Sequence, residues 1–100
     1  MTGVSKLPDS EVQKHLTALN QIAAEKWQLS DGKLRKQFKF TDFNAAMAFM
    51  QSAGEKAEEI NHHPEWCNVY NRVTVDLVTH SVNGLSALDF KLANALERLS

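Results

Sequence analysis

The segment Glu58-Glu59-Ile60-Asn61-His62-His63-Pro64-Glu65-Trp66 holds the densest group of proton-handling side chains in this 100-residue sequence. An unperturbed histidine titrates at about 6.5, so one ring can donate a proton while another accepts one near neutral pH. His62 and His63 fall where a helix should end, and Pro64 then fixes the chain, so the two rings can diverge and still border one pocket. Glu58 lies four residues before His62, on the same helix face if the last turn persists, which predicts a Glu58–His62 pair. His80 closes the last predicted strand, and Asp89 opens the helix that follows. Three imidazoles beside Trp66, a flat surface for stacking, suit proton transfer on a planar heterocycle.

Each of these residues also has a plainer reading. His62 and His63 fit helix C-cap groups that bond terminal carbonyls, and His80 fits a surface residue at a strand end. Trp66 fits a core position, Asp89 a helix N-terminal charge, and Cys67 a small buried hydrophobe. His15 points away from the apolar stripe of its helix and should be solvated. Zinc is disfavoured because the sequence has no His-x-x-x-His or Cys-x-x-Cys pair, and no metal site is expected. Nucleophilic Ser/His/Asp catalysis lacks a Gly-x-Ser-x-Gly context, and Gly3, Gly32, Gly54 and Gly84 are too scattered for a phosphate loop.

The elements that must position these groups follow from periodicity. A first helix should begin near Pro8, Asp9 or Ser10, with Ser10 and Gln13 at capping-box spacing and Val12, Leu16, Leu19 and Ile22 as its stripe. A second should start at Thr41 or Asp42 and carry Phe43, Met47, Met50, Ala57 and Ile60 on its buried face, ending near Asn61 to His63. A third follows the Asn83-Gly84 turn, with Ser86 as N-cap, Asp89 at N3, and Leu85 with Phe90 as a hydrophobic staple; its stripe is Leu88, Leu92, Leu96 and Leu99. Between the first two, Trp27 and Leu29, a Ser30-Asp31-Gly32 turn, and Leu34, Phe38 and Phe40 alternating with Arg35, Gln37 and Lys39 predict a hairpin with a wet, basic face. A second hairpin should run from Trp66 to Tyr70 and Val73 to His80 around Asn71-Arg72. A strict two-residue loop there pairs Trp66 with Leu77, and a bulge shifts partners by one. The order α-β-β-α-β-β-α predicts one α+β domain over residues 1–100, a four-stranded antiparallel sheet with three helices on one face and two edge strands open to pairing.

Composition limits the function classes. With 11 basic and 12 acidic side chains the net charge is −1, which offers no electrostatic footprint for nucleic acid or a polybasic membrane anchor. No apolar run approaches the roughly 18 residues of a membrane span, and no secretory signal is evident. The single cysteine cannot close an intrachain disulfide. A cytoplasmic protein is the expectation.

Seven typed positions, Glu58, His62, His63, Pro64, Tyr70, His80 and Asp89, recur at fixed spacing over 32 residues, and this pattern resembles the signature of pterin-4a-carbinolamine dehydratases. Phe-Lys-Phe-Thr-Asp-Phe-Asn at 38–44, His-His-Pro-Glu-Trp at 62–66, Asn-Val-Tyr-Asn at 68–71 and Gly-Leu-Ser at 84–86 extend the likeness over nearly the whole sequence. The resemblance implies dehydration of 4a-hydroxytetrahydropterins, by-products of aromatic amino acid hydroxylases, to quinonoid dihydropterins, with no metal or organic cofactor. It implies catalytic roles for His62, His63 and His80. Substrate contacts would involve Glu58, Asn61, Pro64, Trp66, Val78, Thr79, Ser81 and Asp89 as well as the histidines. It further implies a homodimer or homotetramer and a functional link to a hydroxylase. In an animal it would allow a second, non-enzymatic role as dimerisation cofactor of a hepatic homeodomain transcription factor, with nuclear as well as cytoplasmic location. Asn61 stands where the family often has aspartate, Leu88 where arginine is frequent, and Cys67 where phenylalanine is frequent.

Overall fold

The computed structural model describes residues 4–100. Its elements are α1 (Asp9–Ile22), β1 (Gln28–Ser30), β2 (Lys33–Lys39), α2 (Phe43–Ile60), β3 (Glu65–Val69), β4 (Arg72–Leu77), a short 3-10 turn (His80–Val82) and α3 (Ala87–Leu99). The α-β-β-α-β-β-α order and the α+β class are those expected. All strand pairs are antiparallel, in the spatial order β1-β2-β4-β3. Among the described residues no helix is long and apolar enough to cross a membrane.

The pleat explains which sheet face is covered. Leu34, Lys36 and Phe38 of β2 and Val73, Val75 and Leu77 of β4 are buried, while Arg35, Gln37 and Lys39 point to the open face. Against the buried face pack Leu19 of α1, Phe49 and Ala53 of α2, and Leu92 and Leu96 of α3. The first hairpin turns through Asp31 and Gly32, both at positive φ, the conformation a two-residue turn needs to match strand twist.

The second hairpin turns one residue earlier than expected, through Tyr70 (φ 52°) and Asn71, so Trp66 pairs with Val75 rather than Leu77. The shift is two residues in partner number, so the face of every side chain is preserved. Asn68 stabilises the turn by donating from Nδ2 to the carbonyls of Tyr70 and Arg72.

Three local expectations are corrected. Helix α1 is preceded by Pro8 with no side-chain cap, so the Ser10–Gln13 box does not form. In α2 the buried face is Ala46, Phe49, Ala53 and Ala57, whereas Phe43 and Met47 are 44% and 45% exposed. The small alanines let α2 lie close on α3 and β4; of the expected stripe Ala57 is buried and Met50 and Ile60 pack against the core, while Phe43 and Met47 are turned outward. Cys67 is exposed on β3, because its neighbours Trp66 and Asn68 take the inward positions opposite Val75 and Val73.

A buried ion pair interrupts the core. Lys36 donates from Nζ to Glu97 Oε2 at 2.6 Å, and the Trp27 indole N–H donates to the same oxygen at 2.8 Å. The Lys36 and Glu97 side chains are 6% and 8% exposed. Their pairing satisfies charges that would be costly to bury alone.

Candidate active site

The end of α2 places the histidine pair. Asn61 takes the left-handed conformation (φ 54°, ψ 43°), which asparagine tolerates better than most residues. Its N–H donates to the Glu58 carbonyl at 3.2 Å, and the His62 N–H reaches back to Ala57 at 3.0 Å, a Schellman-type closure. The chain reverses there, so His62 turns inward, with its side chain 10% exposed, and His63 turns outward, at 57%.

The reversal also changes the expected pairing. Glu58 Oε1 bonds His63 Nε2 at 2.7 Å, not His62. His62 Nε2 meets Asp89 Oδ1 at 2.6 Å. The i, i+4 relation between Glu58 and His62 needed a helical last turn, and Asn61 ends the helix before it.

Asp89 is fully buried and bonded on both oxygens. Ser86 caps α3, and Asp89 Oδ2 accepts from the Ser86 N–H at 2.9 Å, completing the capping box read from the sequence. The same oxygen accepts the Thr79 hydroxyl at 2.7 Å, and Thr79 Oγ1 lies 2.7 Å from Ser86 Oγ. With Asp89 Oδ1 as the acceptor, the hydrogen of the His62–Asp89 bond is carried by Nε2. His62 Nδ1 is then the ring's remaining site for proton exchange, and it has no hydrogen-bond partner among the described residues.

His80 does not close β4, which ends at Leu77; it opens the 3-10 turn. That turn is pinned by Thr79 pairing with Gly84, with the Thr79 N–H donating to the Gly84 carbonyl at 2.9 Å, and by Asn83 at φ 54°. His80 Nε2 bonds Glu65 Oε2 at 2.8 Å. Glu65 also takes the Lys33 ammonium on Oε1 at 2.6 Å. Lys33, and after it His80, hold the Glu65 carboxyl below the usual carboxylate range.

These segments border one cavity of about 640 Å³. The α2 end contributes Ile60, Asn61, His62 and His63; the stretch after β4 contributes Val78, Thr79, His80 and Ser81. Val4 and Leu88 add apolar wall. The sequence-predicted residues Glu58 and Asp89 stand behind His63 and His62, bonded to their rings. Pro64 is half-buried beyond the wall, and Trp66 packs against the hydrophobic core from β3. His15 lies elsewhere, exposed on α1 and stacked on Phe90 with ring centroids 5.1 Å apart.

The geometry adds Glu65 to the site residues read from the sequence. Its placement in His-His-Pro-Glu-Trp was visible, but its partner His80 lies 15 residues away and is brought near only by the β3–β4 hairpin. The arrangement gives three imidazoles at one cavity, each with a carboxylate on Nε2, which leaves Nδ1 as the second titratable nitrogen of each ring.

Comparison with known proteins bears on this arrangement. The family model described as pterin 4 alpha carbinolamine dehydratase matches residues 5–99. A Solibacter usitatus protein, provisionally named a pterin-4-alpha-carbinolamine dehydratase, is 48% identical over 96 residues, covering 96% of each chain. A Brucella ovis protein under the same provisional name is 43% identical over 98 residues, again covering 96% of each. A crystal structure from Brucella melitensis, titled a transcriptional coactivator/pterin dehydratase, superposes with a TM-score of 0.85 at 43% identity, covering 95% of this chain and 98% of that one.

Proposed function

The chain belongs to the pterin-4a-carbinolamine dehydratase family, and on that premise we propose that it dehydrates 4a-hydroxytetrahydropterin to quinonoid dihydropterin and water. The observation carrying the proposal is that His62, His63 and His80 border one cavity and each is bonded at Nε2 to a carboxylate. A volume of about 640 Å³ falls within the range typical of small-molecule sites.

The chemistry needs an acid and a base on one flat ring. The C4a–O bond breaks as the departing oxygen gains a proton and leaves as water. N5 loses its proton, and the electron pair of that N–H bond forms the C4a=N5 double bond. Charges balance without an oxidant, a reductant or a cofactor. We assign the two proton transfers to His62 and His63, and the holding of the pterin, with assistance, to His80. Asp89 and Glu58 fix which nitrogen of the first two rings is free. Asn61 and the 78–81 stretch offer polar backbone and side-chain groups to the pterin edge, with Ile60, Val78 and Leu88 against its apolar parts. Pro64 holds the chain direction after His63, and Trp66 fixes β3 against the core. The proposal extends to pterin recycling after aromatic amino acid hydroxylation, to a cytoplasmic location and to a homodimer or homotetramer.

The test is turnover. Mixed with 4a-hydroxytetrahydropterin and followed by absorbance, the protein should exceed the spontaneous rate, and His62→Ala or His63→Ala should slow it about tenfold or more, given the usual worth of a placed acid or base. If neither variant does so, the role assignment is wrong.

A second reading has its own support. Exposed Phe43 and Met47 on α2 and the coactivator title of the Brucella melitensis structure favour an interaction module, acting as a transcription-factor dimerisation cofactor. Such a module would leave spontaneous dehydration unchanged in the same assay.

A further inference from the structure

His80 stands on a single 3-10 turn with its side chain 76% exposed, so packing alone does not set its ring orientation. What holds the ring is the 2.8 Å bond from Nε2 to Glu65 Oε2. Glu65 is itself held twice. Its backbone is paired with Asp76 at the start of β3, and its other oxygen accepts the Lys33 ammonium at 2.6 Å. Lys33 begins β2, and β4 runs between β2 and β3, so this side chain reaches across a whole strand to the carboxylate. Resting on the function proposed above, we infer that Glu65, clamped by Lys33, is the positioning residue for His80, fixing its ring so that Nδ1 is the nitrogen offered to the pterin.

The surrounding charges fit this assignment. Asp76, the neighbour of Glu65 across the strand pair, is engaged by Arg35 through two bonds of 3.0 and 3.1 Å. Lys33 therefore serves Glu65, with Asp76 and Asp31 adding attraction from a distance. With a cation on one oxygen and an imidazole on the other, the carboxylate cannot rotate without losing a partner. Because Glu65 stays ionised below the ordinary carboxylate range, it accepts from His80 Nε2 throughout the neutral range. A misdirected ring costs rate through lost alignment, even when the ring remains present.

The experiment combines steady-state dehydration of 4a-hydroxytetrahydropterin by the full chain with nitrogen-detected NMR of the histidine rings. Glu65→Gln should lower kcat about tenfold with KM changed by less than about threefold, and should add little further loss to His80→Ala. Lys33→Met should produce a smaller loss and move the acid limb of the kcat profile to higher pH, because Glu65 without its main cation returns toward the ordinary range. In the spectrum, the His80 Nε2–H signal of the wild-type protein should show a strong hydrogen bond that Glu65→Gln weakens; thermal denaturation of both variants confirms that they fold. Wild-type kcat in Glu65→Gln beside a slow His80→Ala, or fully additive losses, overturns the positioning role and leaves the proposed activity standing. If the wild-type protein does not exceed spontaneous dehydration, the activity falls, and the NMR signal still decides whether Glu65 holds the ring.

Discussion

Replacing Asp89 by asparagine tests the link between fold and chemistry at a single atom pair. The carboxylate accepts three hydrogen bonds, from His62 Nε2, the Thr79 hydroxyl and the Ser86 N–H, and it is fully buried. An amide keeps the shape but has one acceptor oxygen and one donor nitrogen. If the oxygen stays with Ser86 and Thr79, the NH₂ faces His62 Nε2, which must then give up its hydrogen and become an acceptor. The neutral ring would carry its proton on Nδ1, the wrong nitrogen for a base. Exchanging a charge-assisted network for a neutral one should cost about 1 to 3 kcal/mol, which for a domain of this size lowers Tm by about 4 to 8 °C for each kcal/mol. Dehydration should slow by a factor on the order of 10², because His62 loses its working tautomer even in the folded fraction. Urea denaturation and the absorbance assay, run well below the variant's Tm, separate the two effects. A folded Asp89→Asn protein turning over within about twofold of wild type would refute the claim that Asp89 sets the His62 proton.

Two further outcomes follow from charged pairs. Lys36→Met leaves Glu97 buried with only the Trp27 indole as donor, so it should destabilise by about 3 kcal/mol in urea denaturation, and Lys36→Met with Glu97→Gln should recover part of that loss. Glu65 has its carboxyl held low by Lys33 and His80, so its contribution to stability is present above the ordinary carboxylate range and is lost as pH falls through its depressed value. Between neutral pH and pH 3 the Glu65→Gln protein should therefore lose less stability than wild type in an acid titration followed by circular dichroism.

The order of elements was legible because hydrophobic period and turn chemistry agree over most of the chain. The α3 start is the clearest case: Ser86 and Asp89 form the capping box their spacing announced. The α2 face was legible at Met50, Ala57 and Ile60 but not at Ala46 and Ala53, because alanine carries too little hydrophobic signal to compete with Phe43 and Met47 in a periodicity argument, although close helix packing selects alanine. Lys36 sits in alternation with Leu34 and Phe38, so its inward direction could have been read, but its partner Glu97 is 61 residues away and reachable only through the tertiary fold. The meeting of the three histidines at one cavity was legible from their type and spacing. Which carboxylate belongs to which ring was not, because that depends on the left-handed turn at Asn61 and on a hairpin that delivers Glu65 to His80.

The chain reversal at Asn61 has one more consequence. It makes two neighbouring residues of the same kind unequal in what their loss would leave behind. Removing the sealed ring of His62 opens a void and takes one of three donors from a buried carboxylate, whereas removing the ring of His63 exposes little that water cannot reach already. A doublet in the sequence is thus not a spare copy: substitutions at 62 endanger the scaffold along with the proposed reaction, and those at 63 test the proposed reaction almost alone.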